Sequence, residues 1–576
     1  MLSIWSFLLL VLFKSTTVVI SDKNPSNKWA LLVAGSNGWY NYRHQADICH
    51  AYQILHKHGI PDSNIVVMMY DDIAYNEENK LSGKIINHPD GVDVYHNVPK
   101  DYIGKDVNVK NFMNILLGKE KEMQHIGSGK VIKSGPNDHI FINFVDHGGS
   151  GILCFPEGEM TIGELNKTLT EMHRLKKYGQ MLIYIEACES GSMFKNVLPN
   201  NIKIYATTAA NARESSYACY FSEELETYLG DCYSVNWMEN SDKELLWLET
   251  VGEQYKIVKF ETNTSHVSEF GDRSVSKDYL SDFQGEEIFL KFGSFLFAQL
   301  LKPQQQQQQQ HQQNRRPPNV HLDAVSSRDV PLEILKRKIN KNGYESDAAR
   351  QNLHSLLLKR KYVDEFINQM VGEISKHFHL NHEAMLTKRV ADVMDFDCHS
   401  KLVHHFSRNC FSFSKNAYAL KYAYVLTNLC NTGIPVNEIL IRMEESCKTA
   451  KIKNQSINYT TEILSKKNSA EDACNCKKQV TVGELVKARN SSVDMRLSCQ
   501  VGKLWKLRRC NACQSMYHGC QCTWTPLIQL LMTTAGLCSV WCLEFMQLLA
   551  QWHLLFPEQS NYFSYFGEWI CPGTIH

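Results

Sequence analysis

His139-Ile140-Phe141-Ile142-Asn143-Phe144-Val145 runs directly into Asp146-His147-Gly148-Gly149-Ser150-Gly151, and Met181-Leu182-Ile183-Tyr184-Ile185 runs into Glu186-Ala187-Cys188-Glu189-Ser190-Gly191-Ser192. Both runs are almost continuously apolar and rich in isoleucine, the pattern of strands buried on both faces. Each ends on a side chain that can do chemistry. Three more runs of the same kind, Ala30–Ala34, Ile65–Tyr70 and Ile202–Thr207, flank them. Helical periodicity lies between, at Arg43–Lys57 (stopped by Gly59 and Pro61), Val109–Leu117 and Ile162–Leu175. Strands alternating with helices predict an α/β domain with a mostly parallel sheet flanked by helices over residues 27–290. In such sheets functional groups gather at the carboxyl ends of the strands.

If the two opening strands are neighbours, His147 and Cys188 face one cleft. A thiol attacks an amide as the thiolate, and an ordinary cysteine with a pKa of about 8.5 is barely ionised in acid. An adjacent imidazole removes the thiol proton and later donates it to the leaving amine. Gly148 and Gly149 leave backbone N–H groups uncovered beside the Cys188 amide, and donors of this kind stabilise an oxyanion. The bland alternative is a small buried thiol and a His-Gly turn.

The chain has 576 residues, 43% of them hydrophobic and 21% charged, with 61 basic and 61 acidic side chains and a formal net charge of zero. That is enough for more than one domain, and the charge balance points to no nucleic-acid partner. Residues 1–20 carry the apolar run Ile4–Phe13 and read as a signal peptide, the run being too short to span a bilayer. Sequons at Asn166 and Asn263 fit a lumenal route and glycosylation. Residues 291–329 include glutamines through Gln310 and then Pro317-Pro318, a low-complexity linker. Residues 330–450 read as a second, all-α domain. Its four cysteines, Cys398, Cys410, Cys430 and Cys447, read as two disulfides in an oxidising compartment, with three pairings open.

The residues around His147 and Cys188 resemble those of the legumain family of asparaginyl endopeptidases, also called haemoglobinases, in the caspase-like clan. The matching blocks are Ala34 through Asp47, Asp146-His147-Gly148, Glu186 through Met193, Thr207 through Tyr220 without Ala212, and Tyr228 through Met238 without Cys232. The resemblance is dense over 27–290 and looser over 330–450. It implies a caspase-like fold, Cys188 as nucleophile, His147 as acid/base and Asn41 as the residue that orients His147. It also implies an S1 pocket lined by Arg43, Glu186, Ser215 and Asp231, with His44 at its edge. An asparagine amide offers two donors and one acceptor. Arg43 can donate to its oxygen while Glu186 and Asp231 accept from its nitrogen. Apolar side chains would leave those charges unpaired, and protonated carboxylates would admit aspartate at lower pH.

The resemblance further implies a death-domain-like helical prodomain that caps the site, with Cys398 paired to Cys430 and Cys410 to Cys447. The chain is then a zymogen that opens in acid, with Asn340 and Asn342 as self-cleavage sites, in a lysosome, vacuole or other acidic lumen. Protein and peptide substrates, the chain's own prodomain and cystatin-type inhibitors are the implied partners. A membrane partner, a cofactor and a metal are not called for, and peptide ligation is a minor expectation tied to Asp146. Two departures stand out: Ala212 replaces a common proline, and Cys232 places a thiol beside Asp231; Cys219 reads as buried structure. Residues 451–576 fall outside the resemblance. Their Cys510, Cys513, Cys520 and Cys522 are spaced too tightly for two zinc knuckles, and the tail reads as disulfide-rich, disordered or a gene-model artefact. Two alternatives are a catalytic subunit like that of the GPI transamidase and an inactive homologue acting as a binding module. The pocket residues and helical domain argue against the first; retention of His147 and Cys188 argues against the second.

Overall fold

The computed structural model describes residues 26–286, 321–341, 344–389 and 392–448. The expected signal peptide, most of the linker, Asn342 and the Cys-rich tail lie outside them.

Twelve strands are present among the described residues. In chain order they are β1 (Lys28–Ala34), β2 (Ile65–Met68), β3 (His139–Val145), β4 (Gly148–Gly149), β5 (Ile152–Cys154) and β6 (Glu159–Thr161). They continue with β7 (Gln180–Glu186), β8 (Ile204–Thr208), β9 (Tyr217–Ser222), β10 (Thr227–Asp231), β11 (Ser268–Gly271) and β12 (Val325–Ser326). The central sheet has six strands in the order β11-β8-β7-β3-β1-β2. All its pairings are parallel except β11 with β8. Along β1, Ala30, Leu32 and Ala34 enter one core while Leu31 and Val33 enter the other. The strand therefore alternates between two buried faces, which explains its unbroken apolar sequence.

Helices α1 (Tyr42–Lys57), α4 (Cys232–Lys243) and α5 (Val251–Glu261) cover the first face, while α2 (Val109–Leu116) and α3 (Ile162–Arg174) cover the second. Helix α3 starts just after Thr161, the N-cap, which forms a capping box with Glu164. The strand expected over Ile65–Tyr70 ends at Met68, after which the Met69 amide bonds to the Tyr102 carbonyl. The edge strand β11 and the β9–β10 hairpin add to the strands read from the sequence.

After the linker come α6 (Val330–Asn340), α7 (Tyr344–Phe378), α8 (Phe396–Asn409), α9 (Ala423–Cys430) and a last helix over 436–448. Val363, Phe366, Ile367, Met370, Val371 and Ile374 make one stripe of α7, and they pack with α8, α9 and catalytic-side Ile152 and Cys154 in one core. Disulfides join Cys398 to Cys430 and Cys410 to Cys447. No helix among the described residues is long and apolar enough to cross a membrane.

Residues 321–329, read from sequence as linker, lie against the β9–β10 hairpin and complete a three-stranded sheet with it. Val325 and Ser326 pair antiparallel with Ala218 and Tyr217 of β9. Backbone pairing of this kind needs no apolar side chain, so the run leaves no hydrophobic signature.

Candidate active site

Val145 at the end of β3 is in register with Glu186 at the end of β7. His147 and Cys188 therefore leave two neighbouring parallel strands at the same level, at the carboxyl edge beside β1, where the chain changes direction across the sheet. The two turns touch closely. A Cβ added to Gly148 would stand 2.6 Å from the Cys188 carbonyl oxygen, so only glycine lets this peptide reach the Cys188 turn.

The Asn41 side chain is oriented by its own amide nitrogen, which donates to the Asn37 carbonyl at 2.9 Å. Its Oδ1 then accepts from His147 Nε2 at 2.8 Å. That bond leaves Nδ1 of His147 as the lone-pair nitrogen, and Nδ1 has no hydrogen-bond partner. It is the atom available to take a proton. Burial, then the charges of Arg43 and Arg328, hold the His147 pKa well below its ordinary value. Burial also raises the Cys188 thiol, against the pull of Arg328. Both shifts favour the neutral forms of the two side chains.

The N-terminus of α1 brings Arg43 to the other residues expected to line a pocket. Arg43 donates from Nε to Asp231 Oδ1 at 2.8 Å, from Nη1 to the Tyr40 carbonyl at 2.9 Å and from Nη2 to Ser327 Oγ at 2.6 Å. Glu186 Oε2 accepts from the Ser234 amide and hydroxyl, both at 3.0 Å, while its Oε1 and Asp231 Oδ2 lack hydrogen-bond partners. Burial and then the charge of Asp231 push Glu186 well above the usual carboxylate range; Asp231 is raised by burial, with Arg43 opposing. His44 lies between the pocket and the dyad: its Nε2 is 3.6 Å from Asp231 Oδ2, and its ring packs edge-on at 5.0 Å from that of His147. Ser215 Oγ accepts from Ser326 Oγ at 3.1 Å.

Ser326 and Ser327 come from the strap formed by residues 323–329. The Ser327 amide bonds the Ser216 carbonyl at 3.0 Å, continuing the antiparallel pairing past β12 and putting the Ser327 side chain on Arg43. Arg328 then reaches over the turn that carries Cys188. It donates to the Gly148 carbonyl at 2.7 Å and forms a buried, two-pronged ion pair with Glu189, the residue after Cys188. Arg360 of α7 holds the strap from behind through Asp329 at 2.6 Å and the Arg328 carbonyl at 2.7 Å. As a result Cys188 is 0% and His147 7% exposed.

Every residue expected in the dyad and pocket is gathered here. Glu189, Asp47 and Arg328 were not anticipated. Asp47 lies one helical turn after Arg43, and its Oδ2 accepts from the Asp231 amide at 3.3 Å; its spacing from Arg43 on α1 was the available signal. Arg328 had none, being a single cation in a polar run. The remaining predicted positions lie elsewhere: Asn166 is half-buried on α3, Asn263 is exposed beyond α5, and Asn340 is exposed at the end of α6.

Residues 28–286 match the model of the peptidase C13 family, and residues 351–447 match that of the legumain prodomain. Legumain of Rattus norvegicus is 48% identical over 439 residues, covering 74% of this chain and 94% of that one. Legumain of Homo sapiens is 46% identical over 435 residues, covering 75% and 95%. The vacuolar-processing enzyme delta-isozyme of Arabidopsis thaliana is 42% identical over 455 residues, covering 76% and 94%.

Proposed function

This chain belongs to the peptidase C13 family and is a cysteine endopeptidase made with a helical prodomain, and on that premise we propose that it cuts peptide bonds after asparagine and is released from latency in acid. The observation that carries the specificity is the pocket's hydrogen-bond inventory. One guanidinium donor, Arg43 Nη2, is spent only on the strap's Ser327, while two buried carboxylate oxygens, Glu186 Oε1 and Asp231 Oδ2, accept nothing. A carboxamide supplies the missing acceptor and donors together. Because burial raises Glu186 and Asp231, they take up protons readily, and a protonated Glu186 would donate to a substrate carboxylate. This supports slower cleavage after aspartate at lower pH.

With the strap gone, a substrate pairs along β9 as β12 does. The thiol proton of Cys188 passes to His147 Nδ1 while Asn41 holds Nε2. The thiolate adds to the carbonyl carbon, and His147 returns the proton to the departing amine. Water, deprotonated by His147, then splits the thioester. A lysosomal or vacuolar lumen, glycans on Asn166 and Asn263, and self-cleavage at Asn340 or Asn342 belong to the same reading.

The test is cleavage at acidic pH of peptides that differ only in having Asn, Asp, Gln or Ala before the scissile bond, with a Cys188→Ala control. Turnover should be fastest for Asn and absent in the control. Equal rates for Asn and Ala, or cleavage by the control, would overturn the proposal.

A further inference from the structure

Cys219 lies in β9, paired in register with Gly230 of β10, and Cys232 opens α4 one residue after β10 ends. The hairpin sets the two thiols side by side. They are 0% and 1% exposed, and neither is in a disulfide. A third donor comes from the other end of the chain. His321, 7% exposed, lies just ahead of the strap, with its ring edge-on to Tyr220 at 5.4 Å. Its Nε2 donates to Asn236 Oδ1 at 3.0 Å. Asn236 follows Cys232 by one turn of α4 and is held by its own amide nitrogen, which donates to Thr262 Oγ1 at 2.9 Å. The tautomer of His321 is thereby set: Nε2 carries the hydrogen, and Nδ1 presents a buried lone pair with no hydrogen-bond partner.

The Cys219 and Cys232 sulfurs and one His321 ring nitrogen lie within 4.8 Å of one another. A tetrahedral ion with metal–sulfur bonds of about 2.3 Å and metal–nitrogen bonds of about 2.0 Å spaces its donors roughly 3.5–3.8 Å apart, inside that limit. Two sulfurs and an imidazole suit a borderline-soft divalent ion, and a ligating histidine whose second nitrogen is tied to a fixed acceptor is the usual supporting arrangement. A Cys219–Cys232 disulfide would leave the His321 lone pair buried and unused; an ion uses all three groups.

We propose that Cys219, Cys232 and His321 bind one zinc-class divalent ion, which ties the start of the strap segment to the hairpin that ends on pocket residue Asp231. The ion staples the covering strap to the catalytic domain, from a site separate from the dyad. His321 is two residues from Asp323, whose carboxylate accepts from the Phe221 amide, and four from β12, so the metal would hold the end of the strap opposite to the Arg360 clamp.

The experiment titrates cobalt(II), then zinc(II), into the full-length precursor, its Cys232→Ser variant and its His321→Gln variant. Ten cysteines lie beyond residue 470, so the signal is read as a difference between proteins. The wild type should bind one more cobalt ion than either variant, seen as thiolate-to-cobalt charge transfer that zinc abolishes. His321→Gln should weaken that site at least tenfold. Zinc should also slow amide hydrogen exchange over residues 325–329 at least tenfold in the wild type and leave it unchanged in His321→Gln. Thermal melts check that the variants are folded, and His321→Gln alone decides if Cys232→Ser is not. Identical titrations in all three proteins would overturn the site, as would a Cys219–Cys232 disulfide found by peptide mass in the purified precursor. Unchanged exchange in the wild type would overturn its stapling of the strap.

Discussion

Replacing His399 with glutamine should flatten the acid response of the latent form. His399 sits on α8, fully buried where the helical domain meets the catalytic domain, and its Nε2 donates to the Ser150 carbonyl at 3.1 Å. Its Cε1 would lie 2.8 Å from a Cβ on Gly151, so the ring packs directly against that loop. Burial lowers its pKa from 6.5 to about 4; the Ser150 bond and Glu164 oppose this, and His404 adds to it. On undocking, the ring regains water and its ordinary value. The docked state thus binds fewer protons than the undocked state, so this contribution to docking is present above about pH 6.5 and is lost as pH falls toward 4. Between pH 7 and pH 5 the loss is ~1.8 kcal/mol, roughly 20-fold in the docking equilibrium, with a limit near 3.4 kcal/mol below pH 4. Glu164, pulled down by its bond to His404 against burial, acts in the same direction; Glu159, raised by burial, acts in the opposite one. Both carboxylates remain in His399→Gln, so the comparison isolates the imidazole. The assay is pulse alkylation of Cys188 in intact precursor, quantified on the Cys188 peptide. At any pH, the ratio of wild-type to variant rate cancels thiolate ionisation. That ratio should rise about 20-fold from pH 7 to pH 5. A ratio constant within twofold would refute the role of His399.

Asn41→Ala frees the His147 ring and should lower kcat on the order of 10²-fold with KM nearly unchanged; steady-state kinetics on the activated enzyme would refute this if KM alone moved. Arg43→Leu leaves Asp231 as an uncompensated buried charge, so the precursor should lose ~3–5 kcal/mol in denaturant unfolding at pH 7. A loss below about 1 kcal/mol would mean that Asp231 is already neutral there. Arg328→Ala removes the close partner of Glu189 and leaves Arg389 at 3.7 Å. Alkylation of Cys188 at pH 7 should then speed up by ~10²-fold or more, and an unchanged rate would show that the strap stays closed without Arg328.

The sequence by itself determined the sheet and put the two expected dyad residues at its carboxyl edge. β1, β3 and β7 bury both faces, so their apolar runs are legible without any partner, and the reactive residues follow where those runs stop. It also located the disulfide cysteines, but not their pairing, which depends on how α8, α9 and the 436–448 helix pack. Tertiary structure decided the rest. The strap binds through backbone amides of Ser327 and β12, which carry no side-chain signature, and so residues 321–329 read as the end of a linker. Arg328 becomes a buried clamp only because that backbone pairing carries it over Glu189. Cys219, Cys232 and His321 meet across about a hundred residues of chain. Local periodicity records which face of an element is buried; it does not record which distant polar group is buried against it.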